Sequence, residues 1–147
     1  MSWWSRLLGG NEPKSRRVDY LNEAIALERQ GDFDAALTSY RLALRDHPND
    51  PRILQNIGIG YSRTGRLEDA VRSYRRALEV APEQSGAHYG LAFLLLKRGD
   101  RAGAMRHLDA FLAAPPANGE TEKWVRHAGQ TLAALREGTA LPTAPEG

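Results

Sequence analysis

The chain has 147 residues, a formal net charge of +2, four histidines and no cysteine. The length fits one domain, and the lack of cysteine excludes disulfides, thiolate catalysis and cysteine-based zinc sites. The histidines show no short metal-ligand spacing, and no apolar run has the length of a secretory signal or a membrane span. We therefore expect no metal, no cofactor and a cytoplasmic protein.

The basic excess lies near the N-terminus. Residues 1–17 contain four basic side chains and one acidic side chain, whereas the remaining chain contains 16 basic and 17 acidic ones. Most of the chain therefore lacks the general positive charge that attracts a protein to nucleic acid. We do not expect nucleic acid to be a partner.

Residues 1–15 are predicted to be a flexible amphipathic tail. If Ser2 to Leu8 is helical, its apolar side chains share one arc and Arg6 lies on the other side. These apolar side chains are Trp3, Trp4, Leu7 and Leu8. Two helical turns are not stable alone in water, so the segment needs a surface to order against. The segment has three candidate surfaces: the rest of this chain, a membrane, and another protein.

A 34-residue spacing relates three consecutive segments of the chain. Three columns recur at this spacing: Gly31, Gly65 and Gly99; Ala36, Ala70 and Ala104; and Pro48, Pro82 and Pro116. A small residue within a helix, a glycine between helices and a proline at the end are typical of helix-turn-helix solenoids. The unit resembles a tetratricopeptide repeat, and QGDFDAALTSYRLALRDHPND is close to the usual second half of that repeat.

The resemblance covers roughly residues 17–118 and implies an all-α fold, a right-handed α-solenoid. We predict three repeats within residues 16–118, at 17–50, 51–84 and 85–118, then a capping helix at 119–137 and a disordered tail at 138–147. Asp32 is placed to cap the second helix of the first repeat. Asp50 and Pro51 are suited to begin the second repeat. Asn118 is a candidate cap for the last helix.

No catalytic motif is present in the sequence. It contains no nucleophile elbow, phosphate-binding glycine loop, HExxH sequence or paired carboxylates, so we predict that the protein is not an enzyme. Several arginines fall on the second helices, which form the outer wall in this family. Glu68 lies four residues before Arg72, and such ion pairing accounts for these arginines better than contact with RNA does.

In this family, binding usually uses the concave wall made by the first helices of the repeats. Carrying the inward positions over residue by residue gives a groove with an apolar and aromatic floor and a basic rim. Its predicted residues are Leu21, Asn22, Ile25, Arg29, Arg52, Gln55, Asn56, Ile59, Arg63, Tyr89, Phe93, Leu96, Lys97, Lys123, Trp124 and His127. Such a floor suits the apolar side of a helix or an extended peptide with bulky side chains.

One known use of this groove can be tested on the residues. Family members that bind the acidic C-terminal tails of heat-shock chaperones use a carboxylate clamp of Lys and Asn, then Asn, then Lys and Arg. Those positions here hold Leu21 and Ile25, then Asn56, then Gly86 and Gly90. Only Asn56 matches, so we do not expect this kind of binding.

The sequence therefore predicts a non-enzymatic adaptor or scaffold that binds a peptide or helix of another protein in its concave groove. The alternative is a peripheral adaptor at the inner face of a membrane, tethered through Trp3, Trp4, Leu7 and Leu8 with the help of Arg6. Burial of such side chains yields about 1.5 to 3 kcal/mol each, which suffices for reversible attachment. A further hypothesis is that this tail occupies the chain's own groove.

Overall fold

The computed structural model describes residues 19–116 and 119–146. Within these ranges the chain forms seven α-helices, one short 3-10 helix and no strand, which confirms the predicted all-α solenoid. The helices are α1 (Tyr20–Arg29), α2 (Phe33–Asp46), α3 (Pro51–Arg63), α4 (Leu67–Val80), α5 (Ser85–Lys97), α6 (Arg101–Ala113) and α7 (Glu122–Glu137). The tail residues Trp3, Trp4, Arg6, Leu7 and Leu8 lie outside the described ranges, as does Asn118.

Aspartate caps set the starts of several helices. The carboxylate of Asp32 accepts a hydrogen bond from the Ala35 backbone N–H at 3.2 Å, and that of Asp50 accepts one from Arg52 at 2.9 Å. Both predicted caps are therefore confirmed. The last helix begins at Glu122, three residues after the start of the predicted segment 119–137, because Gly119–Thr121 forms the 3-10 turn that precedes α7.

The turn between the two helices of each repeat depends on glycine. Gly31, Gly65 and Gly99 have φ values of 80°, 78° and 81°, which is left-handed backbone that favours glycine over other residues. Each turn places two helices of a repeat side by side. This explains why glycine recurs at the 34-residue spacing.

The core runs along the stack of helices. Ala36, Ala70 and Ala104 are at most 1% exposed, at the positions where the two helices of each repeat approach closely. Helix α7 closes the end of the stack, where its buried Leu132 and Leu135 belong to the same core. These contacts fit the predicted role of the last helix as a cap on the third repeat.

The ion pairs of the outer face differ from the predicted one. Glu68 pairs with Arg98 of the following repeat at 3.3 Å, whereas Arg72 pairs with Asp69 three residues before it. Helical spacing allowed the pair of Glu68 and Arg72, but it could not show that Arg98 comes within reach across the stack. All four side chains are substantially exposed, so each pair contributes little stability.

Residues 139–146 have no helix or strand, and they contact α7 at Lys123 and His127. Gly138 has a φ of 71°, and this left-handed residue reverses the chain after α7. The Lys123 ammonium then donates a hydrogen bond to the Glu146 carbonyl oxygen at 3.1 Å. The disorder predicted for this tail stays a prediction, while the structure shows where the segment contacts the helix.

Among residues 19–116 and 119–146, no helix has the length and apolarity needed to cross a bilayer. The same ranges contain no cluster of three or more histidine, aspartate and glutamate side chains able to hold a metal ion.

Candidate functional site

An open groove of about 500 Å³ lies between α3, α5 and α7. Seven predicted groove residues line it: Gln55, Ile59, Arg63, Tyr89, Phe93, Lys97 and Trp124. Eight further lining residues were not predicted: Ser62, Tyr74, Gly86, Gly90, Leu94, Phe111, Pro116 and Thr121. The lining is mostly apolar, and its cationic side chains stand at one edge.

Two glycines on α5 make room for the groove. A Cβ atom on Gly90 would lie 2.5 Å from Cζ of Tyr74, and one on Gly86 would overlap the side-chain amide of Gln55. A Cβ on Gly58 of α3 would also lie 2.8 Å from the Tyr74 ring. Tyr74 belongs to the second helix of its repeat, so its ring passes between two first helices to reach the groove floor.

These glycines occupy positions that would hold clamp cations in chaperone-binding members of the family. Their spacing of four residues puts both glycines on the same helical face, so the sequence could have indicated a recess in the groove floor. No comparable signal pointed to Tyr74, because its position in the repeat suggested only a packing role.

Aromatic side chains form the wall at the α7 end of the groove. The Tyr89 ring centre lies 4.8 Å from Phe93, 5.2 Å from Phe111 and 5.5 Å from Trp124, and the Trp124 ring meets it edge-on. Contacts of this kind add about 0.5 to 1.5 kcal/mol per pair beyond the area buried. The wall is therefore held in one arrangement and presents a preformed apolar surface.

His127 supports this wall from α7. Its ring stacks on Phe93 with 4.9 Å between the ring centres, and its Nδ1 lies 3.0 Å from the Tyr89 hydroxyl oxygen. Burial raises the pKa of Tyr89 to about 12, whereas burial lowers the pKa of His127 below its ordinary value of 6.5. The protonated hydroxyl therefore donates to a neutral imidazole.

The charged lining residues are cations. Arg63 and Lys97 stand in the last turns of α3 and α5, 34 residues apart, and Arg29 holds the same position on α1. No carboxylate is among the residues that line the groove. The basic rim predicted from the sequence thus includes Arg63 and Lys97 at the edge of this cavity.

Nine predicted groove residues do not line the cavity. Three of them lie beyond it on α1: Leu21 and Ile25 pack against the core, and Asn22 donates a hydrogen bond to Asp19 at 2.7 Å. The other members that lie outside the lining are Arg29, Arg52, Asn56, Leu96, Lys123 and His127. The cavity is therefore confined to the part of the solenoid between α3 and α7.

Comparison with known proteins settles the family. Two family models, each described as tetratricopeptide repeat, match residues 20–83 and 61–120, and together they cover more than half of the chain. The chain belongs to the tetratricopeptide repeat family.

One tetratricopeptide relative is a peroxisomal targeting signal receptor of Candida glabrata, 31% identical over 91 residues. The match covers 62% of this chain but only 15% of the receptor, so the chain spans a small part of that relative's length. The similarity is therefore to one part of that receptor.

Two solved structures with low sequence identity share the fold over most of this chain. The type III secretion translocator chaperone SycD of Yersinia enterocolitica has a TM-score of 0.76 at 17% identity, and the match covers 90% of this chain and 92% of SycD. PcrH, solved in complex with the chaperone binding region of PopD, has a TM-score of 0.75 at 19% identity. That match covers 87% of this chain and 96% of PcrH.

Proposed function

We propose that this protein is a non-enzymatic adaptor that binds a segment of another protein in the groove between α3, α5 and α7. The observation that carries the proposal is the preformed recess bounded by Tyr89, Phe93 and Trp124, with Gly86 and Gly90 at its floor. A partly open apolar recess with a few polar groups is the usual form of a ligand site. The PcrH complex with a region of PopD supports peptide binding by a similar fold.

The recess suits a bulky apolar side chain from the partner. Full burial of one such side chain contributes about 1.5 to 3 kcal/mol, before the cost of ordering the partner. The aromatic walls favour a flat or branched side chain of the partner. The cations Arg63 and Lys97 at the edge are placed to contact polar groups of the partner on either side of that side chain. Only a few contacts are thus expected to dominate the affinity.

The test is an affinity capture from the lysate of the source cell. The wild-type protein is compared with Trp124→Ala, which removes part of the wall, and with Arg106→Ala, which changes an exposed residue of α6. A protein retained by the wild type and by Arg106→Ala, but lost with Trp124→Ala, is then purified and its affinity measured by calorimetry. Retention of the same proteins by all three variants would exclude the groove as the binding site.

The peripheral membrane role remains the alternative, and it depends on residues outside the described ranges. Co-sedimentation with anionic liposomes, with and without residues 1–12, separates the two functions. If the protein is an adaptor, it should capture a partner protein and should not sediment with the liposomes. Loss of liposome binding on removal of Trp3 and Trp4 would support the tether instead.

A further inference from the structure

The C-terminal segment, residues 139–146, lies on the helix that forms one wall of the groove. It runs antiparallel to α7, because the Pro142 backbone contacts His127 while the Glu146 carbonyl oxygen contacts Lys123 one turn earlier. Pro142 and Pro145 are half-buried, whereas Leu141 is 48% exposed. The segment is thus docked mainly through its backbone and its prolines.

The two helix residues that hold this segment contact side chains of the groove wall. His127 stacks on Phe93 and accepts the hydrogen bond from Tyr89, and both of these residues line the cavity. The Lys123 ammonium lies 5.2 Å from the centre of the Trp124 ring, which also lines the cavity. The segment therefore occupies the surface next to the open recess, on the same helix.

The chemistry of these contacts indicates what this surface recognises. Both helix side chains bond to backbone groups of the segment, so recognition does not depend on a particular side chain. Proline has no backbone N–H to leave unpaired and its φ is fixed, so a proline-containing segment is already extended and loses little entropy on docking. Extended proline-rich segments bind aromatic-lined grooves by the same logic.

We propose that the α7 wall is a binding surface for an extended, proline-containing segment, which Lys123 and His127 hold by its backbone. Residues 139–146 occupy this surface within the chain, and a partner segment of the same kind displaces them. The docking of residues 139–146 is independent of the proposed adaptor function, whereas their displacement by a partner rests on it.

The docked segment is suited to be displaced. It buries no large apolar side chain, since Leu141 points largely into solvent, and the adjacent recess stays open. Tethering gives the segment an effective concentration in the millimolar range, so weak contacts suffice to hold it. A partner that fills the recess as well as this surface makes more contacts than the segment does.

The test compares amide and indole NMR signals of the full chain with those of a chain that ends at Gly138. A full-length Pro142→Gly, Pro145→Gly variant provides a second comparison without truncation. We expect the signals of Lys123, Trp124 and His127 to shift in both variants, while far-ultraviolet circular dichroism shows unchanged helix content. Unchanged signals at these three residues in both variants would overturn the docking.

The probe for recognition in trans is the synthetic peptide TALPTAPEG, added to the truncated chain. We expect millimolar peptide to return the three signals toward their full-chain positions, and a peptide with both prolines replaced by alanine to do so at least about threefold less tightly. Equal binding of the two peptides would overturn the role of proline. No binding of either would overturn recognition in trans.

Competition is measured with the partner obtained from the capture experiment. Truncation after Gly138 is expected to raise the affinity for that partner by about threefold or more, since the occupant is removed. An unchanged affinity would overturn the displacement. Failure of the proposed adaptor function would be seen separately, as capture that does not depend on Trp124.

Discussion

The ring of Tyr74 fills the space that a side chain on Gly90 would need: a Cβ at that position would lie 2.5 Å from Cζ of the ring. Tyr74 is 3% exposed and its ring also lies beside Gly58, so it has little freedom to move away. One residue of α4 thus sets the depth of a groove built mainly from α3, α5 and α7.

The first prediction concerns this contact. Gly90→Ala should destabilise the protein by about 1 kcal/mol, because overpacking costs about 1 to 3 kcal/mol and exceeds the helix propensity that alanine gains over glycine. Urea denaturation followed by circular dichroism measures the change. A variant more stable than the wild type would mean that the ring of Tyr74 is free to move.

The second prediction is the matched control on another helix. Gly129 lies within α7, and nothing lies within 4 Å of a Cβ built on it. Gly129→Ala should therefore stabilise the protein by about 0.5 to 1 kcal/mol, from helix propensity alone. The same urea titration should move the two alanine variants in opposite directions. If both variants lose stability, helix propensity does not govern the Gly129 site.

The third prediction uses an irregularity in the repeats. Asp32 and Asp100 cap the second helices of the first and third repeats, but Arg66 holds the equivalent place in the second and makes no side-chain cap bond. Arg66→Asp should stabilise the protein by about 0.5 kcal/mol. A new cap contributes about 1 kcal/mol, and the loss of the Arg66 guanidinium 5.4 Å from the Tyr61 ring offsets part of it.

The control for this prediction is Arg66→Ala, which removes the contact with Tyr61 without adding a cap. Thermal denaturation should rank Arg66→Asp above the wild type and Arg66→Ala below it. Equal melting temperatures for the aspartate and alanine variants would show that no cap forms.

The repeat pattern predicted the helices well because the signals that form them are local. Glycines at the turns, aspartates at the caps and alanines at the close approaches all act within one repeat. The site was predicted only in part, since its shape depends on contacts between repeats. The reach of Tyr74 between α3 and α5 is such a contact, and helical periodicity within one segment contains no information about it.

The docking of residues 139–146 illustrates the same limit. Their composition suggested disorder, because the segment has no apolar periodicity and only one large apolar side chain. What holds the segment is a backbone contact to His127 and another to Lys123, made after Gly138 reverses the chain. Every residue has a backbone carbonyl, so the sequence does not indicate which carbonyl a side chain will contact.

The fourth prediction is a loss of stability in mild acid. Burial lowers the pKa of His127 below 6.5, although a hydrogen bond with the Pro142 backbone opposes the shift. Burial also lowers the pKa of His107, and the nearby charges of His88, Arg106 and Arg75 lower it further while Asp100 opposes them. Between the folded pKa and 6.5, the unfolded chain binds more protons at both sites than the folded chain does.

Stability should therefore decrease as the pH falls from about 7.5 through 6.5 toward the folded pKa values, and then level off with respect to these two groups. Urea midpoints measured between about pH 5.5 and 7.5 avoid most carboxylate titration. A double variant, His107→Gln with His127→Gln, should flatten this slope, because it removes both imidazoles whose pKa is lowered. If the dependence of the urea midpoint on pH is the same in the double variant as in the wild type, groups other than His107 and His127 take up the protons.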